Sequence, residues 1–133
     1  MIKQIRNRDL KSTAVEINAL GGVRLNGRLS MKVVGVGERI ADLRNTLEKS
    51  RVQLLKGYAK LDAQKELIKT KEGKAVFKSA KDEEKYYTAY NELLEEVVEV
   101  EYPPVIGVTD DYLESLEEIT PAQLIVLKKF KEK

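Results

Sequence analysis

Apolar residues recur every seven positions through the middle of this chain of 133 residues, and this repeat constrains the fold more than any other feature. Two series follow it: Val33, Ile40, Leu47, Leu54 and Leu61, and a companion series of Val36, Leu43, Ser50 and Gly57. Alternating steps of three and four residues place both series on one side of a helix. The pattern therefore predicts one long amphipathic helix that packs on its own domain.

Two positions are candidates for the start of this long helix. Ser30 offers an N-cap oxygen. Gly35 and Gly37 each cost about 1 kcal/mol in a helix interior, so the helix could instead begin near Gly37. Basic residues flank the apolar stripe on both sides, and a parallel dimer of two such helices would bring like charges together. We therefore expect that this helix does not form a parallel coiled-coil homodimer.

A strand and a helix are predicted before the long helix. Ile2 and Ile5 indicate an edge strand. The following helix covers residues 8–20, has Asn7 as its predicted N-cap and ends at a pair of glycines that favour a C-cap. Its apolar stripe consists of Leu10, Ala14, Ile17 and Leu20. This stripe is expected to contribute to the core.

After the long helix, the chain is predicted to alternate between short strands and helices. Leu67–Thr70 and Lys74–Phe77 are typical of a hairpin, with Gly73 supplying the positive φ of the turn. Three later helices have predicted N-caps: Ser79, Thr109 and Thr120. A strand with one buried face is indicated where Val98, Val100 and Tyr102 alternate with glutamates. The sequence thus predicts an α+β fold: one mainly helical domain over residues 1–133, in which the long helix covers a small antiparallel sheet.

Charge is distributed unevenly along the chain. Residues 1–65 contain 14 Lys and Arg against 6 Asp and Glu, a net charge of +8, whereas residues 66–133 contain 10 against 16, a net charge of −6. Within the second half, residues 82–118 hold 13 acidic residues and a single base, Lys85. Such a division favours charged partners or self-association, for example the acidic half of one copy against the basic half of another.

Two missing residue types limit the chemistry of the chain. It contains no Cys and no His. Ser–His and Cys–His nucleophiles, and zinc sites built from thiolate or imidazole, are therefore excluded. Catalysis by carboxylates, Lys or Tyr stays open, but the composition favours a protein that is not an enzyme and that binds no cofactor or metal. With no apolar run of about 20 residues and no signal-peptide pattern, we expect a soluble cytoplasmic protein with no membrane partner.

Basic residues around the start of the long helix are candidates for partner binding. They are Arg24, Arg28, Lys32, Arg39 and Arg44, to which we add Tyr87, a tyrosine one step off the apolar stripe of its helix. Such cations could contact the phosphates of a nucleic acid, although no aromatic residue lies among them to stack on bases. The segment Met31–Gly37 imitates a strand that runs into the glycine turn of a dinucleotide-binding unit, but Ile40 stands where the third glycine is needed.

Three segments resemble a family of small tailed-phage and prophage proteins of unknown function. They are Phe77–Glu84, Asn91–Val100 and Ile119–Leu124, in a chain that also shares the order of long charged helix, glycine-containing hairpin and third helix. The resemblance covers roughly residues 30–130. It implies a phage context, in the cytoplasm of the host or associated with the virion, and assigns no catalytic residue.

These observations predict a non-enzymatic phage or prophage accessory protein that acts by protein–protein binding. Its partner would be a viral or host protein, in virion assembly or in binding a host factor, and homo-oligomerisation is a further option. The alternative is a nucleic-acid-binding protein that uses the basic N-terminal half.

Overall fold

The computed structural model describes all residues from Met1 to Lys133. Its elements, in chain order, are β1 (Ile2–Arg6), α1 (Leu10–Asn18), α2 (Gly27–Tyr58), α3 (Ala80–Glu95), β2 (Val97–Glu101), α4 (Asp110–Glu114) and α5 (Pro121–Lys128). Short 3₁₀ turns precede and follow α1. The predicted fold class is confirmed: the chain is mainly helical, with one long helix and a small antiparallel sheet. No helix is both long enough and apolar enough to span a lipid bilayer.

The chain contains two compact units. Unit 1 comprises Met1–Arg44 and Val97–Lys133, and unit 2 comprises Asn45–Glu96, so that α2 begins in the first unit and ends in the second. Compact units of this kind can belong to one domain or to two. The expectation of a single domain over residues 1–133 therefore stays a prediction.

The sheet of unit 1 consists of two strands from distant parts of the sequence. β1 pairs antiparallel with β2, with Ile2 opposite Glu101 and Ile5 opposite Val98. Because side chains alternate between the faces of a strand, Ile5 and Val100 lie on one face, which is buried. Ile2 and Glu101 lie on the other face. The edge strand and the alternating strand that the sequence predicts are both present.

The core of unit 1 is built by the apolar stripes of its helices. All four residues of the predicted stripe are buried: Leu10, Ala14 and Ile17 in α1, and Leu20 in the 3₁₀ turn that follows it. The first half of α2 buries Leu29, Val33, Val36 and Ile40. The rings of Tyr102 and Phe130 meet edge to face, with centroids 5.4 Å apart. Both rings are almost completely buried, so they anchor the segment after β2 to the end of the chain.

The starts of α1 and α2 differ from the prediction. α2 begins at Gly27, because Asn26 Oδ1 accepts a hydrogen bond from the backbone N of Leu29 at 2.9 Å and caps the helix there. Neither Ser30 nor Gly37 is the start. Asn7 does not cap α1 either: it lies in the preceding 3₁₀ turn and is buried. The N-cap position of α1 belongs to Asp9, whose side chain makes no capping bond.

The three other predicted caps are confirmed. The side chains of Ser79, Thr109 and Thr120 each accept a hydrogen bond from the backbone N three residues later. At Thr120 the bond is reciprocal, since the side chain of Gln123 accepts from the Thr120 backbone N at 2.9 Å. This is the capping box that the sequence predicts.

Unit 2 contains three short extended segments that pair in a closed triangle. Residues 59–61, 67–69 and 75–77 are joined by single bridges between Ala59 and Phe77, Leu61 and Leu67, and Lys69 and Ala75. The backbone N–H of residue 60 donates to the carbonyl of residue 76, residue 76 to residue 68, and residue 68 back to residue 60, at 2.7, 2.9 and 3.2 Å. Segments 67–69 and 75–77 form the predicted hairpin, and Gly73 lies in the turn between them with a φ of 80°.

The heptad prediction is wrong at the end of the long helix, where residues 59–61 are extended. α2 ends at Tyr58, and Leu61, which the repeat placed on the helix, lies in the first extended segment. The chain leaves the helix here because the backbone groups that follow it pair with the other two segments. Leu55, Ala59 and Tyr86 form the buried cluster of unit 2.

Candidate partner-binding groove

An open groove of about 820 Å³ lies within unit 1, and we call it the α2–β2 groove. One side is lined by residues of α2: Arg28, Met31, Lys32, Gly35, Val36 and Arg39. The other side is lined by Ile2 of β1, by Glu99 and Glu101 of β2, and by Pro103–Ile106. The groove therefore joins the basic start of the long helix to the acidic face of the sheet.

The helical repeat explains which α2 residues reach the groove. Arg28, Lys32, Gly35 and Arg39 each come directly before one of the four buried residues in the first half of α2. Successive residues differ by about 100° around a helix, so these four form a stripe beside the buried stripe. The groove stripe is thus fixed in position by the core packing of its neighbours.

The alternation of β2 places its acids in the groove. Glu99 and Glu101 flank the buried Val100 and point away from it to the opposite face. Ile2, which pairs with Glu101, lies on the same face and is 62% exposed. After β2, two prolines stop the pairing and lead into Val105 and Ile106.

Large apolar side chains of the groove are exposed to solvent. Met31 and Ile106 are each 75% exposed, and Ile2 is 62% exposed. They come from three different elements but line one groove. A contiguous apolar patch with a charged rim is typical of an interaction surface on a protein.

Gly35 has no packing role inside the chain. A Cβ atom built at this position meets no other atom within 4 Å. By contrast, a Cβ built at Gly37 lies 3.4 Å from Cγ2 of Ile17, so α1 approaches α2 at that point. Since a glycine in a helix interior costs about 1 kcal/mol, Gly35 weakens the helix without relieving a contact. Its absent side chain leaves the floor of the groove open.

The charges of the groove are not paired with each other. None of Arg28, Lys32 and Arg39 takes part in an ion pair, and neither do the two glutamates opposite them. Ion pairs within 4.0 Å do form elsewhere, for example between Lys131 Nζ and Asp110 Oδ2 at 2.7 Å. The groove thus presents free cations on one side and free carboxylates on the other.

Folding mixes the two oppositely charged halves of the sequence. Unit 1 contains 13 Lys and Arg against 12 Asp and Glu, and unit 2 contains 11 against 10, so that each has a net charge of +1. The halves of the sequence do not become a basic unit and an acidic unit. The separation of charge persists locally, across the α2–β2 groove.

The structure brings together three of the six predicted site residues. Arg28, Lys32 and Arg39 line the groove, whereas Arg24 lies in the loop before α2 and Arg44 lies farther along the helix, both outside the groove lining. Tyr87 belongs to unit 2 and is 52% exposed. Sequence reasoning missed the glutamates, Ile2 and the proline segment as groove residues. The alternation around Val100 indicated that Glu99 and Glu101 are exposed, but no local pattern places them beside α2.

Unit 2 has a groove of its own, of about 960 Å³, whose wall is aromatic. Tyr86 packs against Phe77, Tyr87 and Tyr90, with centroid distances between 5.1 and 5.8 Å. Arg51 binds both carboxylate oxygens of Glu48, at 2.9 and 2.6 Å. This bond, together with a hydrogen bond to Tyr86, raises the pKa of Arg51 above its usual value. Burial raises the pKa of Tyr90. The Arg51 guanidinium is therefore occupied by contacts within unit 2.

No group of three or more acidic side chains is placed to hold a metal ion. Comparison with models of known protein families, with curated proteins and with solved structures finds no match for this chain. Any function must therefore be inferred from the geometry and the chemistry of the groove.

Proposed function

We propose that this chain is a non-enzymatic protein-binding module and that the α2–β2 groove is its binding surface. The observation that carries the proposal is the coincidence, in one groove, of exposed apolar side chains with unpaired charges of both signs. Apolar contact supplies most of the free energy of protein association, and charges around it select the partner and its orientation.

The composition of the groove supports protein binding over catalysis. Its titratable groups are two exposed glutamates and three cations on the opposite side. A pair of carboxylates working as acid and base needs environments that separate their pKa values, usually by burying one of them. Both glutamates are exposed on the same strand face.

The resemblance of the sequence to small tailed-phage and prophage proteins supports a more specific role. We propose an accessory protein of a phage or prophage that binds a viral or host protein, either during virion assembly or to capture a host factor. It would act in the cytoplasm of the host or on the virion.

Site-specific crosslinking tests the groove directly. A photoreactive amino acid at Met31 lies in the groove, and the same residue at Val34 provides a matched control, because Val34 is 57% exposed on α2 but does not line the groove. In host cells, we expect a discrete protein crosslink from position 31 alone, and we expect Gly35→Leu to abolish it. Equal crosslinking from both positions, or none from position 31, would falsify the proposal.

Nucleic-acid binding is the second candidate, favoured by the free cations of α2. Arg28 and Arg39 are eleven residues apart, about 16 Å along the helix, which matches a row of phosphates. If all three cations contact phosphates, the slope of log affinity against log salt is about −2 to −3. A titration with duplex and single-stranded DNA at several salt concentrations measures this slope. No binding at low salt rules out this candidate.

A further inference from the structure

We infer that the α2–β2 groove binds a second copy of this chain, in a crosswise arrangement with α2 of each copy facing β2 of the other. This inference rests on the proposed function, since it names the partner of the same groove. It follows from the way charge is divided between the two sides of the groove.

Only a crosswise contact between two copies neutralises the groove. If α2 faced α2, the cations at positions 28, 32 and 39 would meet the same cations of the other copy. If β2 faced β2, Glu99 and Glu101 would meet their own equivalents. Like charges brought face to face disfavour a contact, whereas opposite charges fix its register. A two-fold axis repeats the favourable contact, because residues that meet across it do so twice.

Both signs of charge are available for this contact. Within one copy, no ion pair within 4.0 Å crosses the groove, although cations and carboxylates line its two sides. A partner with only acidic groups would satisfy α2 but would repel β2. A partner that carries a basic side and an acidic side in the same spacing satisfies both, and the chain itself is such a partner.

The apolar residues of the groove favour the same contact. Ile2, Met31 and Ile106 are largely exposed in one copy and would be covered in both copies of a symmetric pair. Gly35 leaves the floor of the groove without a side chain, so a facing side chain from the second copy can approach the α2 backbone. The contact would thus combine an apolar centre with a charged rim, the usual arrangement at protein interfaces.

Charge reversal with mixing tests the arrangement. One variant carries Arg28→Glu and Arg39→Glu, and a second carries Glu99→Lys and Glu101→Lys. Each alone brings like charges together across both crosswise contacts, so we expect its self-association to weaken by more than about tenfold. Mixed in equal amounts, the two variants should form a heterodimer, since the reversed α2 of one then faces the reversed β2 of the other. Sedimentation equilibrium over a wide range of protein concentration measures both effects.

A matched control changes the same charge outside the groove. Arg24→Glu with Arg44→Glu alters net charge as much as the first variant, and it should leave self-association near the wild-type value. Circular dichroism establishes that each variant is folded. Wild-type self-association should weaken as salt increases, because ions screen the exposed charges.

The outcomes separate this inference from the proposed function. A wild-type chain that is monomeric at all concentrations and at low salt overturns the inference, and so does a dimer that survives both reversals or is not restored on mixing. If the chain is monomeric but position 31 crosslinks to a different protein, the proposed function stands and the second copy is the wrong partner. If the chain forms neither a dimer nor a crosslink, the inference and the proposed function are both wrong.

Discussion

Gly37 of α2 faces Ile17 of α1 so closely that a Cβ atom at position 37 lies 3.4 Å from Cγ2 of Ile17. Two residues earlier on the same helix, a Cβ atom at Gly35 has no neighbour within 4 Å. The two glycines therefore have different roles. Gly37 permits the approach of two helices inside unit 1, and Gly35 keeps the floor of the α2–β2 groove open.

Substitution by leucine should separate these roles. At Gly37 a leucine side chain overpacks the contact with Ile17, and we expect a loss of about 1–3 kcal/mol in the free energy of unfolding. At Gly35 the side chain extends into open space and improves helix propensity, so stability should rise by up to about 1 kcal/mol. Urea unfolding of both variants measures the difference. Equal destabilisation at the two positions contradicts this assignment, and a Gly35→Leu variant that is stable yet loses its crosslink shows that the glycine serves binding.

Local signals in the sequence were sufficient for the later helix starts. Ser79, Thr109 and Thr120 cap their helices as predicted, because a cap is decided by residues within one turn. The start of α2 shows the limit of this reasoning. Ser30 and Gly37 were the two predicted starts, whereas Asn26 caps the helix, because burial of Leu29 and Val33 in the core favours an earlier start.

The groove itself depends on contacts that no local pattern contains. The three groove cations were identified from the sequence as a basic cluster, whereas Glu99 and Glu101 were identified only as exposed acids. They share one groove because the fold places β2, which pairs with β1 across about 95 residues of sequence, beside the first half of α2. For the same reason the charge difference between the halves of the chain was a poor guide to the compact units, each of which combines basic and acidic segments.

Any side chain at position 73 should lower the stability of the fold. Its φ of 80° lies in the left-handed region, where residues with a Cβ are strained, and it closes the turn between two sides of the triangle in unit 2. We expect Gly73→Ala to lower the free energy of unfolding by about 1 kcal/mol. Gly57, near the end of α2, is the control: an alanine there has open space and should leave stability unchanged or slightly higher. Thermal unfolding that ranks the two variants in the reverse order would contradict the turn geometry.

The ion pair of Glu48 and Arg51 should make the free energy of unfolding depend on pH in acid solution. The hydrogen bonds from Arg51 lower the pKa of Glu48 below its usual 4.5. A lowered pKa means that the folded chain binds this proton less readily than the unfolded chain, so the contribution is present above about pH 4.5 and is lost as the pH falls. Since both side chains are partly exposed, it amounts to only about 0.5 kcal/mol.

Glu48→Gln isolates this contribution. We expect the variant to be less stable than wild type at neutral pH and equal to it at an acid pH below the lowered pKa of Glu48, where this carboxyl is protonated in both states. Glu38→Gln is the control, because Glu38 is exposed on the same helix and makes no ion pair. Urea unfolding at the two pH values provides the comparison. A stability difference for Glu48→Gln that persists in acid shows that the pair acts through packing instead of charge.

Tyr102 should limit stability in alkali. Burial, with a smaller effect of the Glu16 carboxylate, raises the pKa of its phenol above the usual 10.0. The folded chain then keeps the proton where the unfolded chain begins to lose it, so stability is unaffected below about pH 10 and falls as the pH rises toward the raised pKa.

Lys129 has the opposite effect on stability in alkali, and this effect is common to wild type and the Tyr102→Phe variant. Its ammonium lies 5.1 Å from the centroid of the Tyr102 ring, and desolvation lowers its pKa, so its deprotonation favours the folded state as the pH rises. Because wild type and Tyr102→Phe both contain Lys129, the difference between their unfolding free energies reports on the phenol. Above about pH 10, we expect Tyr102→Phe to become more stable relative to wild type. If the difference between Tyr102→Phe and wild type does not change in alkali, burial of Tyr102 does not control its titration.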